Sequence, residues 1–329
     1  LLGRDNHAFL YTGQHYSTNM KEVFLEELQV NPDYDLECNT SETEVIKDRM
    51  LRFLRNVSHE CIIVYGDTSS SLAGALAAKE LNSKLIHVEA GLRCFDLTVP
   101  EEKIRMQIDS ISDYLLAPTD LSKTFLKHEG TENNVFVTGN LVVDVCKELS
   151  EAADRYQRYD LPEEYLLLTL HRQETVEDQS RLSSIKNHLE KLNYKIIFPL
   201  HPRTRNSLSR YGITLPENVI TINPVGYVEF LYLLKNSKLV LTDSGGVQEE
   251  AAVLKKPCIT LRNTTERWET ILQKSNVLFP TWRTDSLADV VETMLSCPTK
   301  PSPYGENVAE KCADIIRNIA CATRTGAAA

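Results

Sequence analysis

Residues able to do chemistry are sorted between the two halves of this 329-residue chain. In the first half, carboxylates stand at the ends of apolar runs: Asp67 closes CIIVYGD, Glu89 closes KLIHVEA with Ala90, and Glu101 and Glu102 open PEEKIRMQIDSISD. In the second half the equivalent positions hold His171 and Arg172, then His201 with Arg203 and Arg205, then Ser244, Gly245 and Gly246 in LTDSGGVQEE, and finally Arg262 to Glu266. A carboxylate that ends a buried strand is costly unless it has a task, so Asp67 and Glu89 are read as site residues suited to proton transfer. The glycine turn joins an apolar strand to a helix whose first N–H groups lack partners; Asp243 or Ser244 can cap it, and an anion is favoured there. Taken alone, that stretch reads first as an ordinary tight turn. The sorting by sign along the chain is what suggests one half holding a phosphorylated group and the other performing proton chemistry.

Plainer roles fit several of these residues. Glu102 is expected only to favour the first turn of its helix, and Glu101 with Arg105 has the spacing of a surface i,i+4 pair. His87, inside an apolar strand, reads as a structural histidine with satisfied partners. His7, His59, His128 and His188 read as surface residues. His171, at a strand end beside Arg172, is better placed for a ligand.

The elements that must position these groups alternate from end to end. CIIVYGD, KLIHVEA and YLLAPT are strands in the first half, with SSSLAGALAAKEL and PEEKIRMQIDSISD as helices. EYLLLTLH, KIIFPLH, NVITINP, KLVLTD and PCITL are short strands in the second. Such alternation means α/β domains, each a doubly wound parallel sheet, with ligands at the carboxyl ends of strands. The length exceeds what one core serves, and the charged stretch DVCKELSEAADRYQRYDLPEE is the expected connection. We expect a catalytic carboxylate domain over 1–150 and a phosphate-binding domain over 151–310, separated by a cleft, then a C-terminal helix and tail over 311–329, with TGAAA a frayed end.

Composition narrows the function. Hydrophobic residues make up 42% and charged residues 25%, as in an ordinary soluble protein, and the formal net charge of −10 argues against a nucleic-acid partner. No apolar run reaches the ~20 residues that span a bilayer, and no secretory signal is visible, so no membrane partner and a cytoplasmic location are expected. The eight cysteines show no CxxC and no Cys/His cluster at zinc spacing, so free thiols and no metal are expected.

Taken in order, GDTSSSLAGALAA, HVEAGLR with PEE, TLHRQE, FPLHP, LTDSGGVQEEA, LRNTTER and PYG resemble the non-hydrolysing UDP-N-acetylglucosamine 2-epimerases. The resemblance runs from TGQHY to PYGE and implies a GT-B-like fold of two Rossmann-like domains, with the C-terminal helix crossing back to the first. It also implies a UDP-sugar substrate, no cofactor and a homodimer formed through first-domain helices. By matching position, Ser244, Gly245 and Gly246 would hold the diphosphate with Arg172 and His171 nearby, Glu250 would accept from the ribose hydroxyls, and Phe230 would lie against the uracil. Asp67, Glu89, Glu101 and His171 match catalytic residues. The implied reaction eliminates UDP to a 2-acetamidoglucal and adds it back with C2 inverted, making UDP-ManNAc for surface polysaccharide.

The chain also departs from the family pattern. Ile104 stands where EExNR has Asn, while Arg105 is kept. The family's opening strand and Arg-containing loop would lie before Leu1, and the stretch from Tyr34 to Glu60 is short. Gln14 and His201, with Glu101, match parts of an allosteric UDP-GlcNAc site, but Ser17 replaces a second Gln. TGQHYSTNM resembles members acting on UDP-2,3-diacetamido uronates equally well. The alternatives are that related substrate, a GT-B glycosyltransferase, a hydrolysing epimerase, and a nucleotide-sugar binding protein without catalysis. The three first-domain carboxylates and HVEAGLR argue against the glycosyltransferase, and the PEE segment against the hydrolase.

Overall fold

A computed structural model describes residues 1–3, 6–14, 30–155, 161–280 and 283–325. Ser17, much of TGQHYSTNM and most of the terminal TGAAA lie outside them. The chain divides into two compact units, Leu1–Asp144 with Tyr304–Ala329, and Val145–Pro303. The sequence placed these divisions at 150 and 310. The first falls instead after Asp144, inside the helix α5 (Val142–Ala153) and at the start of the charged connection.

In the first unit, β3 (Cys61–Tyr65), β4 (Lys84–Val88), β5 (Tyr114–Ala117) and β6 (Val135–Val137) form a parallel sheet in that order, and β1 (Leu10–Tyr11) pairs with β2 (Tyr34–Asp35). The helices are α1 (Thr43–Leu54), α2 (Ser69–Glu80), α3 (Pro100–Ile111) and α4 (Asp120–His128). Thr68 caps α2 by accepting from the Ser71 N–H, and the alanines that follow are small enough for α2 to pack against both α1 and α3. Pro100 starts α3, where its missing N–H costs nothing. The helix α13 (Val308–Thr325) belongs to this unit. It is tied in by the Asp144 carboxylate, which accepts from the Ala309 N–H at 2.6 Å, and by the Tyr304 carbonyl, which accepts from the Asn140 N–H at 3.1 Å.

The second unit is one six-stranded parallel sheet made of β7 (Tyr165–Thr169), β8 (Lys195–Pro199), β9 (Val219–Ile222), β10 (Leu239–Thr242), β11 (Cys258–Thr260) and β12 (Asn276–Leu278). Its order is β12-β11-β10-β7-β8-β9. Successive side chains alternate between two cores: Leu166, Leu168, Leu239 and Leu241 enter one, whereas Tyr165, Leu167 and Val240 enter the other. From β7 the chain winds outward through β8 and β9, then returns to β10 on the other side of β7 and winds outward again. The switch point therefore lies between β7 and β10, where such sheets bind ligands. The α/β class read from the sequence is the observed one. β1, β2, β6 and β12, two or three residues each, were not anticipated because so short a run carries no period. Among the described residues, no helix is long and apolar enough to cross a membrane.

Candidate functional site

At the switch point, β7 ends in Thr169 and β10 in Thr242, whose hydroxyls lie 2.6 Å apart. The next residue of the second strand, Asp243, is fully buried. Its carboxylate accepts from the backbone N–H of His171 at 3.0 Å and of Arg172 at 2.9 Å, so it ties the two strand ends together. The cap of the following helix, α10 (Gly245–Val253), is therefore Ser244, whose hydroxyl accepts from the Val247 N–H. The Ser244 carbonyl accepts from the Gln248 amide at 3.1 Å, and the Gln248 oxygen accepts in turn from Thr265 and Asn276. The glutamine of LTDSGGVQEE thus braces the turn from below.

The two glycines have different reasons to be there. A Cβ on Gly245 would collide with the Glu266 carboxylate, which is buried and paired with Arg262. A Cβ on Gly246 would meet no protein atom within 4 Å. Gly245 is thus explained by packing, whereas packing leaves room for a side chain at Gly246. Glu250 lies one helical turn beyond, about 6 Å along the axis at 1.5 Å per residue. The Tyr227 hydroxyl donates to it, while its Oε2 is buried without a hydrogen-bond partner. Burial pushes the Glu250 carboxyl up to about 7, against the lowering effect of that Tyr227 bond. Phe230, on the same helix as Tyr227, is half-buried against the sheet.

His171 is partly exposed above this turn, with Nδ1 3.5 Å from Asp243 and its ring 5.8 Å from that of His201. Arg172 reaches Glu266 at 3.9 Å. His201 caps the helix α8 (Pro202–Tyr211): its Nδ1 accepts from the Arg203 N–H at 3.1 Å. Burial, His171 and Arg203 all disfavour its protonation. Gln14, its supposed allosteric partner, also has a local task, since its side-chain oxygen accepts from the backbone N–H and the hydroxyl of Ser70 at the start of α2.

In the first unit, Asp67 and Glu89 follow neighbouring strands. The Glu89 carboxylate lies 3.4 Å from where a Cβ on Gly66 would sit, beside Asp67. Glu89 has φ 71, a left-handed conformation that is strained for a side chain of this size and is characteristic of functional sites. Glu101 is half-buried in the first turn of α3.

Glu102 and Arg105 correct the sequence expectation. Glu102 is 1% exposed; its carboxylate accepts from the backbone N–H of Cys94 and Phe95 and pairs with Arg105 at 2.9 Å. Arg105 is buried, not the outer half of a surface pair, and its other guanidinium arm binds Asp67. Helical spacing showed that 101 and 105 share a face but not that this face turns inward. Ile104 packs on the core of Val64, Leu72, Leu85 and Ile108, so an apolar side chain suits its surroundings.

His87 is structural, as expected, and His188 is half-buried rather than fully exposed, its ring packing edge-on against Phe279 at 5.2 Å. His59 is half-buried too, bonded to the Val57 carbonyl and the Ser83 hydroxyl. Sequence reasoning did not find Tyr227 or the clamping role of Asp243. The signal for Asp243 was its place directly after an apolar strand, and for Tyr227 its place at a helix start after Gly226.

Set beside known proteins, residues 3–317 match a family model described as UDP-N-acetylglucosamine 2-epimerase. The chain is 42% identical to a UDP-N-acetylglucosamine 2-epimerase of Methanocaldococcus jannaschii over 87% of this chain and 84% of that one. It is 39% identical to a UDP-2,3-diacetamido-2,3-dideoxy-D-glucuronate 2-epimerase of Pseudomonas aeruginosa, over 87% and 83%. A crystal structure of the M. jannaschii UDP-GlcNAc 2-epimerase in complex with UDP-GlcNAc and UDP superposes with a TM-score of 0.86 at 39% identity, covering 94% of this chain and 91% of that one. A UDP-GlcNAc 2-epimerase from Neisseria meningitidis bound to UDP-GlcNAc gives 0.81 at 28% identity, over 93% and 90%.

Proposed function

This chain belongs to the UDP-N-acetylglucosamine 2-epimerase family, and from that premise we propose that it interconverts UDP-GlcNAc and UDP-ManNAc by elimination and re-addition of UDP. The observation that carries the reading is the second unit's turn: a capped helix start with an open approach at Gly246, followed one turn later by the unpartnered Oε2 of Glu250. That spacing suits a nucleoside diphosphate, whose phosphates would lie on Ser244, Gly245 and Gly246 while the ribose hydroxyls donate to Glu250. Backbone N–H groups and the helix end favour the anion. Arg172 and His171 stand beside the turn, and Phe230 offers a half-buried ring to the base.

Asp67, Glu89 and Glu101 supply the proton chemistry. A base takes the proton from C2 as the C1–O bond to UDP breaks, leaving 2-acetamidoglucal and UDP. In the return step UDP bonds to C1 again while a proton is delivered to the opposite face of C2. Two faces require more than one carboxylate, and each acid or base role is worth about 10²–10⁴ in rate. Arg105 fixes Asp67 from behind and so holds the geometry this chemistry needs.

The product feeds surface polysaccharide synthesis in the cytoplasm, and the enzyme acts as a homodimer; light scattering of the purified protein tests the latter. The test of the reaction is incubation with UDP-GlcNAc followed by separation of the UDP-sugars. A mixture containing UDP-ManNAc supports the reading, and unchanged UDP-GlcNAc contradicts it. The 39% identity to the diacetamido-glucuronate enzyme makes its substrate the second one to assay.

A further inference from the structure

Glu250 is held by a chain of buried groups that arrives from two other helices. The Tyr227 hydroxyl, in the first turn of α9 (Tyr227–Asn236), donates to one carboxylate oxygen. On its other side this hydroxyl lies 3.7 Å from the thiol of Cys146, a fully buried residue of α5. Burial, reinforced by Glu250, pushes the Cys146 thiol up to about 12, so the sulfur keeps its proton beside the Tyr227 hydroxyl. Glu249, the neighbour of Glu250 on its own helix, is paired with Arg267.

We infer that Tyr227, oriented by Cys146, is a positioning residue for ribose recognition: it holds one oxygen of Glu250 and leaves Oε2 to read the sugar diol. The inference rests on the proposed UDP site. Two features follow from the arrangement. The carboxylate cannot turn its free oxygen away without breaking the Tyr227 bond inside an apolar surrounding, where an unmade bond costs most. The same bond also favours the ionised form of Glu250, which is the form that accepts from two hydroxyls. Recognition of the diol should therefore strengthen as pH rises through about 7, where burial has placed this carboxyl, and level off above it.

The experiment is calorimetric titration with UDP and with 2′-deoxy-UDP at a series of pH values, on the wild type, Tyr227→Phe and Cys146→Ala. The two nucleotides carry the same diphosphate and the same 3′-hydroxyl, so their ratio isolates the 2′-hydroxyl of the diol. The wild type should prefer UDP by roughly tenfold to hundredfold at the alkaline plateau, the range for one hydrogen bond to a charged group. Tyr227→Phe should move the midpoint of that preference to higher pH, so that preference is lost at neutral pH and regained under alkaline conditions. A variant with the wild-type midpoint, or one that weakens both nucleotides equally at every pH as a merely structural role would, overturns the inference. If Tyr227→Phe does not fold, Cys146→Ala is read the same way: a smaller shift in the same direction supports the inference, and an unmoved midpoint overturns it. Failure of UDP to bind the wild type at all would overturn the proposed site instead.

Discussion

Nδ1 of His87 lies 2.6 Å from the Asp109 carboxylate, and both side chains are out of solvent. The other Asp109 oxygen accepts from the Gly91 N–H at 3.1 Å and pairs with Arg93 at 2.7 Å, while His87 Nε2 lies 3.0 Å from the Gly66 carbonyl. One carboxylate in the last turn of α3 thus joins, with His87, the turn that precedes Asp67 to the turn that follows Glu89. Gly91 itself has φ 81 and faces the Ser122 carbonyl too closely for any Cβ, so this clamp tolerates no side chain there.

Asp109→Asn should therefore be severely destabilising, by about 3–5 kcal/mol, because it leaves Arg93 buried with less compensation. The denaturation midpoint checks this. Burial opposes ionisation of Asp109, but the bonds and charges of His87 and Arg93 outweigh it and hold the carboxyl below its usual value of 3.8. The sign follows: a depressed folded value contributes stability above 3.8 that is lost as pH falls through the lower folded value, so the variant should lack that acid-side loss.

The two glycines of the turn should behave oppositely. Gly246→Ala puts a helix former where no protein atom is in the way, so stability should hold or rise by up to about 1 kcal/mol while UDP binding weakens. Gly245→Ala drives a methyl into the Glu266 carboxylate and should lower the melting temperature, with loss of binding following from misfolding. Melting curves with and without UDP separate the two outcomes.

Glu250→Gln should lose affinity for UDP yet stabilise the ligand-free protein. A carboxyl raised from 4.5 to about 7 binds more protons folded than unfolded, so its contribution to stability declines as pH climbs through that window. Removing the charge recovers up to about 3 kcal/mol above the window and little below 4.5. Thermal melts across pH, without nucleotide, give the test.

Asp67→Asn and Glu89→Gln preserve shape and remove the charge. Each should lower kcat by about 10²–10⁴-fold. Binding of UDP, which we place on the second unit, should stay within a few-fold of wild type. Equal losses in turnover and in UDP affinity would contradict the division of labour.

How much of this was legible in the sequence depends on the range of the signal. Apolar runs such as KLVLTD and KLIHVEA announced the strands, and the polar groups at their ends announced Asp67, Glu89 and the Ser244 to Gly246 turn, because both signals are local. Arg105 and Glu102 were misjudged because burial of a helix face depends on what packs over it, here the backbone at Cys94 and Phe95. Tyr227 and Cys146 meet across 81 residues, and Asp243 reaches His171 across 72, distances that no spacing rule covers. The glycines were read as a pair with one purpose, whereas their neighbours in space give a packing reason to Gly245 alone.

The most direct test is incubation of the enzyme with UDP-GlcNAc in D₂O, following the sugar by proton NMR. The account predicts deuterium at C2 in both UDP-GlcNAc and a growing UDP-ManNAc signal, because the C2 proton leaves to the solvent-exchanging carboxylates and returns from either face. Appearance of UDP-ManNAc with its C2 proton fully retained, or release of free ManNAc and UDP, would contradict it.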